Sequence, residues 1–174
     1  MSFITHLIHL WNYEPIWKIV AITSVPIIAL MCCHVKLKKK TIYVISVVSV
    51  AGLSIGILYL TVLSRNLGSA SEIDLVPFSF VVRGMVAPTV FREYWMNVYL
   101  FIPLGLMLPV ILKDRYWLVI MIGLVFSLLI ELIQFIFALG LCETDDAIAN
   151  TLGCTIGVVI FRGAMEIKRR FGIE

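Results

Sequence analysis

The sequence predicts an all-α, multi-pass transmembrane helical bundle of about five spans, with its N-terminus outside and its C-terminus in the cytoplasm. Three observations carry this: the apolar excess of the chain, the length of its apolar runs, and the asymmetry of its basic residues. Of 174 residues, 61% are hydrophobic and 14% charged, with a mean hydropathy of +1.03. A soluble domain is about half apolar and about a quarter charged. The composition therefore excludes a soluble enzyme, a disordered tail and a nucleic-acid-binding protein. Four cysteines (Cys32, Cys33, Cys142, Cys154) include no CxxC pair and read as small packing residues.

Five runs approach the roughly 18–20 apolar residues that a membrane helix needs: 16–34, 41–63, 94–112, 116–139 and 146–164. The first carries Lys18 and Pro26; the third carries Pro103 and Pro109, which membrane helices tolerate near their ends. Before them, Phe3, Ile4, Leu7, Ile8 and Trp11 recur at helical spacing opposite Ser2, Thr5, His6, His9 and Asn12. Residues 1–14 thus read as a short amphipathic helix on the outer surface; they have neither the basic start nor the cleavage site of a removable signal peptide. The longest connection, about 65–93, contains Leu75-Val76-Pro77-Phe78 and Phe80-Val81-Val82, expected to rest on or dip into the outer leaflet. No internal repeat or domain boundary is visible, so 1–174 reads as a single membrane domain.

Orientation follows from charge. Placing Lys36–Lys40 inside also places Lys113, Arg115, Arg162 and Lys168–Arg170 inside. That gives ten basic and three acidic residues inside against four basic and seven acidic outside, or +7 against −3, with Glu131 left within the membrane. Basic residues concentrate on the cytoplasmic side of membrane proteins.

Polar residues within the spans converge on one depth. Ser127, Glu131 and Gln134 share a helix face; Asp146, Asn150, Gly153 and Gly157 form a stripe; Asn97 and Arg65 lie near outer helix ends. With the fourth run ending at 139, Glu131 lies about 12 Å below the outer end. Gly153/Gly157 and Gly52/Gly56 have the small-xxx-small spacing that permits close backbone approach. The expected result is a bundle whose outer half encloses a polar pocket, with Arg65, Asn97, Glu131, Gln134, Asp145, Asp146 and Asn150 as its ligand-binding candidates. Each has a structural alternative: Asp145 and Asp146 as caps of their own helix, Asn97 and Asn150 as interhelical hydrogen-bonding residues, Arg65 as a headgroup anchor.

These residues carry a family resemblance. Asn97-Val98-Tyr99-Leu100-Phe101-Ile102-Pro103-Leu104-Gly105 resembles the Asn…Phe-x-Pro-x-Gly signature of the VanZ family. Glu131-Leu132-Ile133-Gln134 is similar to its Glu-x-x-Gln helix, and Asp145-Asp146-Ala147-Ile148-Ala149-Asn150-Thr151-Leu152-Gly153 to its Asp-Asp-x-x-x-Asn-Thr-x-Gly element. Asp74-Leu75-Val76-Pro77-Phe78 and Arg65 also match, so the likeness covers roughly 60–164. Many relatives have an arginine where this chain has Gly140-Leu141-Cys142-Glu143-Thr144.

The resemblance implies a bacterial plasma-membrane protein that lowers susceptibility to teicoplanin-type lipoglycopeptide antibiotics. Three mechanisms are open. In the first, the pocket binds an amphiphilic headgroup, from membrane lipid, teicoplanin or an undecaprenyl-linked precursor. In the second, the protein is an enzyme modifying an envelope lipid, with Glu131 as catalytic base and Glu143, Asp145 and Asp146 as oxygen ligands of a hard cation. The chain has no HExxH, GxSxG or Walker A motif, and its residues call for no cofactor. The third, a small transporter or flippase, would be supported by inverted repeats or discontinuous helices, and the sequence has neither.

Overall fold

Apolar runs of more than twenty residues can satisfy every backbone polar group in a bilayer only as helices, and four of them do so here. A computed structural model describes residues 39–65 and 73–172; the expected span 16–34 and the surface helix 1–14 lie outside the described residues. Helix α1 (Lys39–Leu58) runs on through a five-residue π-helical turn, Tyr59–Leu63. A two-residue strand β1 (Ile73–Asp74) and a short helix α2 (Ser79–Val86) then lead into α3 (Pro88–Ile111) and α4 (Tyr116–Ile136). Strand β2 (Cys142–Glu143) precedes α5 (Thr144–Arg170). The two strands pair in parallel, Ile73 with Cys142 and Asp74 with Glu143. Among the described residues α1 with its π turn, α3, α4 and α5 are long and apolar enough to cross a membrane.

The boundaries have local causes. Pro88 occupies the first turn of α3, where its missing N–H costs nothing, so the helix begins six residues before the apolar run. Helix α4 stops at Ile136, not 139, because Ala138 (φ 49°) and Gly140 (φ 154°) turn the chain back. Glu131 therefore lies about 8 Å from the helix end rather than 12 Å. Helix α5 has Asp145 and Asp146 in its first turn and Lys168, Arg169 and Arg170 in its last, matching both ends of its dipole.

Helix α3 is the centre of the bundle: 67% of its apolar stretch is buried, against 17% for α1. Phe101, Leu104 and Leu108 of α3 pack with Val119 and Ile130 of α4, Cys154 and Val158 of α5, and Ile57 of α1. The tightest contact is backbone on backbone. A methyl at Gly153 would run into the carbonyl of Val98, one at Gly157 into that of Ile102, and one at Gly105 into that of Cys154. The first two contacts share a sequence offset of 55, so α3 and α5 run parallel in a single register. Gly52 and Gly56 behave differently: a methyl at either meets nothing within 4 Å. Their expected packing role is absent among the described residues, because α1 turns that face away from its neighbours.

Substitution should separate the two glycine pairs. Gly153→Ala or Gly157→Ala is expected to destabilise the detergent-solubilised protein by about 1–3 kcal/mol, the cost of overpacking a close contact. Gly52→Ala or Gly56→Ala should be neutral or stabilising by up to about 1 kcal/mol through helix propensity. Thermal melts of the four variants check this.

Candidate functional site

The site is organised by an anion-binding backbone turn. Phe78 adopts the left-handed conformation (φ 63°) immediately before α2, an uncommon geometry for a bulky residue. It turns the amides at the start of α2 toward one point, and the Asp145 carboxylate occupies that point. Phe78 N–H donates to Oδ1 at 2.6 Å, Phe80 N–H to Oδ2 at 2.7 Å, and the Ser79 hydroxyl to Oδ2 at 3.0 Å. Asp145 is 2% exposed, so these donors, with the helix dipole, replace its hydration. Asp145 thus caps α2, 65 residues upstream of it, and not its own helix as expected. Asp146, in the first turn of α5, lies close to Asn97.

A second fastening lies beside the first. Arg83 donates through Nη1 to Glu143 Oε1 at 2.6 Å and through Nη2 to Oε2 at 2.8 Å, a two-pronged pair. Asp74 lies 3.7 Å and Asp145 4.0 Å from the same guanidinium. The Ser79 hydroxyl and the Val76 N–H hold the Asp74 carboxyl below its ordinary value, and Arg83 adds to this. Glu143 in turn holds the Arg83 guanidinium above its ordinary value, keeping it charged. Burial pushes the Cys142 thiol up, with the neighbouring Glu131 adding to the shift, which disfavours its thiolate.

These fastenings close one side of a cavity of about 430 Å³ between the end of α1, α2, the first turns of α3 and the start of α5. Four of the seven expected ligand-binding residues line it: Arg65, Asn97, Asp145 and Asp146. Glu143, a candidate cation ligand in the sequence, lines it too, as do Arg83, Arg92 and Glu93, which were not anticipated as site residues. One signal for Arg83 was available, a lone cation within Phe80-Val81-Val82-Arg83-Gly84-Met85-Val86. Arg65 reaches over Gly140, where any side chain would strike its guanidinium. The loop before α5 thus receives two arginines from elsewhere, Arg65 on Gly140 and Arg83 on Glu143.

The other three expected residues sit behind the cavity wall. Glu131 Oε2 accepts the Glu143 N–H at 3.0 Å and so fixes β2 onto α4. Gln134 donates to the Thr61 carbonyl at 2.8 Å, within the π turn. Asn150 donates to the Ser127 hydroxyl at 2.7 Å. Glu131 does not line the cavity. Among the described residues no three His, Cys, Asp or Glu side chains converge as a metal site. Of the three candidate cation ligands, Glu143 is engaged by Arg83 and Asp145 by α2.

The VanZ/LLP1 family model matches residues 40–167, well over half of the chain. The chain belongs to this family. It is also similar to Protein VanZ of Enterococcus faecium, with 40% identity over 91 residues, 52% of each chain. The match spans about half the length of that curated relative. No solved structure matches the chain. The stretches that carry the VanZ/LLP1 resemblance in sequence therefore meet in space: the Asp-Asp element binds the Pro-Phe element, and its second aspartate meets Asn97.

Two measurements test the fastenings. A double-mutant cycle with Arg83→Gln and Glu143→Gln should give a coupling of about 1–2 kcal/mol in unfolding experiments, allowing for partial exposure of the arginine. Asp74 has a lowered pKa, so its contribution is complete above the ordinary value of 3.8 and is lost as pH falls through the lower folded value. Wild-type protein should accordingly lose stability below about pH 4 more steeply than Asp74→Asn, as followed by melting temperature against pH.

Proposed function

We propose that this membrane protein lowers susceptibility to teicoplanin-type lipoglycopeptide antibiotics by binding an amphiphilic headgroup in the cavity. The observation that carries the reading is the cavity itself, charged within and bordered by apolar surface. Inside, Arg65 and Asn97 offer donors, and Asp146 offers an acceptor. Outside, Leu75, Val76, Phe78, Val82, Met85 and Val86 are each 60% exposed or more. A continuous apolar surface of this kind suits contact with lipid chains and is unfavourable in water. An amphiphile can thus place its polar part in the cavity and leave its tail along β1 and α2.

The chemistry follows from this division. A headgroup carrying both anionic and hydroxyl groups is matched by the mixed charge of the lining. In a site partly withdrawn from water, charge-assisted hydrogen bonds of this kind are worth about 1.5–3 kcal/mol each. Teicoplanin and undecaprenyl-linked precursors both have this shape, and occupancy by either changes access to cell-surface targets in the plasma membrane. The charge asymmetry of the chain supports an outward-facing cavity.

Arg65→Ala and Asn97→Ala should each weaken headgroup binding by about 1–2 kcal/mol and return teicoplanin susceptibility toward that of cells lacking the gene. Expression and insertion should stay normal, and vancomycin, which has no lipid tail, should show a smaller change. Full protection against teicoplanin in both variants would sink the reading.

A further inference from the structure

The opposite end of the bundle has a groove of its own. It opens between the first residue of α1, the α3–α4 turn and the last turns of α5, with a volume of about 830 Å³. Lys39, Arg162, Lys168 and Arg169 line it, against two carboxylates, Asp114 and Glu166. Glu166 is already engaged, by Arg169 at 2.9 Å and Arg170 at 3.1 Å. The Arg162 guanidinium lies 5.7 Å from the centre of the Tyr116 ring, a cation–π contact that holds it against the groove wall.

A basic count that sets orientation needs only numbers on one side of the membrane. It does not require cations from both ends of the described chain to converge on one concave surface. Lys39 and the α5 cations do converge, and the surface around them is apolar. Trp117 is 70% exposed, Ile167 57% and Phe171 75%, with Met165 within the groove itself. An exposed tryptophan beside cations at a helix start marks the headgroup level of a bilayer.

We propose that this groove binds the phosphate headgroup of an anionic membrane lipid. Phosphate oxygens accept hydrogen bonds from Arg162 and Lys168, with Lys39 completing the positive field. Asp114 opposes a second negative charge and suits a headgroup hydroxyl, which favours a phosphodiester with a glycerol-like end. The acyl chains lie along Met165 and Ile167. This site is separate from the cavity of the proposed function and stands or falls independently of it.

The test uses purified full-length protein, with lipid retention read by native mass spectrometry from micelles containing phosphatidylglycerol and phosphatidylcholine. Phosphatidylglycerol should be preferred, and the preference should weaken with salt. The triple variant Lys39→Gln/Arg162→Gln/Lys168→Gln should lower its retention by about 100-fold, roughly fivefold per cation. The control Lys113→Gln/Arg115→Gln/Arg170→Gln, at the same end but outside the groove, should change it by less than about fivefold. If the triple variant does not fold, the exposed Lys168→Gln alone should still give about a fivefold loss. Equal losses in the groove variant and the control, or equal retention of the two lipids, would overturn the proposal. So would displacement of lipid by millimolar glycerol 3-phosphate, which would reassign the groove to a soluble phosphate ester.

Discussion

Asp145 determines how the polar end of this bundle is assembled. A carboxylate this deeply buried is tolerable only if its oxygens are taken up by donors, and three consecutive residues of another segment supply them. The strained backbone at Phe78 is the counterpart of that requirement, since it aims the Phe78 and Phe80 amides at a single anion. From this anchor the rest follows. Helix α2 is held at the head of α5, β1 comes into register with β2, and Arg83 arrives opposite Glu143. Asp145 shares the holding of α2 with the Arg83–Glu143 pair and with Phe80, stacked on Tyr94 of α3.

The depth of the site is set elsewhere, by the glycine-mediated contact of α3 with α5. In a bilayer, helix association depends on close van der Waals packing more than on solvent exclusion, and a glycine facing a carbonyl gives the closest approach available. Because the contacts at Gly153 and Gly157 share one register, the stripe that continues upward through Asn150 to Asp146 is delivered to a defined place beside Asn97. Packing below and charge above are two parts of a single helix face.

Much of this was readable in the sequence, and the part that was not has a physical explanation. Apolar length and helical spacing identify the spans from 41 onward, and the Asp146–Gly157 stripe correctly predicts close packing. Hydropathy does not see where a turn residue ends a helix, hence the three-residue error at α4 that misplaced Glu131. Spacing also cannot tell a glycine that faces a helix from one that, among the described residues, faces none, as at Gly52 and Gly56. Partner choice was the least legible. The pairing of Asp145 with the amides of Phe78 and Phe80 is a backbone interaction between distant segments, and no side-chain motif encodes it. Burial equally fails to separate a residue that lines a cavity from one that supports its wall: Glu131, Gln134 and Asn150 bond to β2, the π turn and α4 and do not line the cavity.

The π turn at Tyr59–Leu63 bears on how this chain tolerates changes in length. A π turn holds one residue more than the α-helical path it replaces, and here the Ser64 N–H reaches back to the Tyr59 carbonyl while the Thr61 carbonyl receives Gln134. Removing one residue from this stretch would restore an ordinary helix along the path the π turn already follows, so the residues beyond it, Arg65 among them, would keep their aim. In a regular helix the same deletion would rotate everything that follows by about 100°. A single-residue deletion is thus absorbed in this segment, where elsewhere in the span it would be a change of aim.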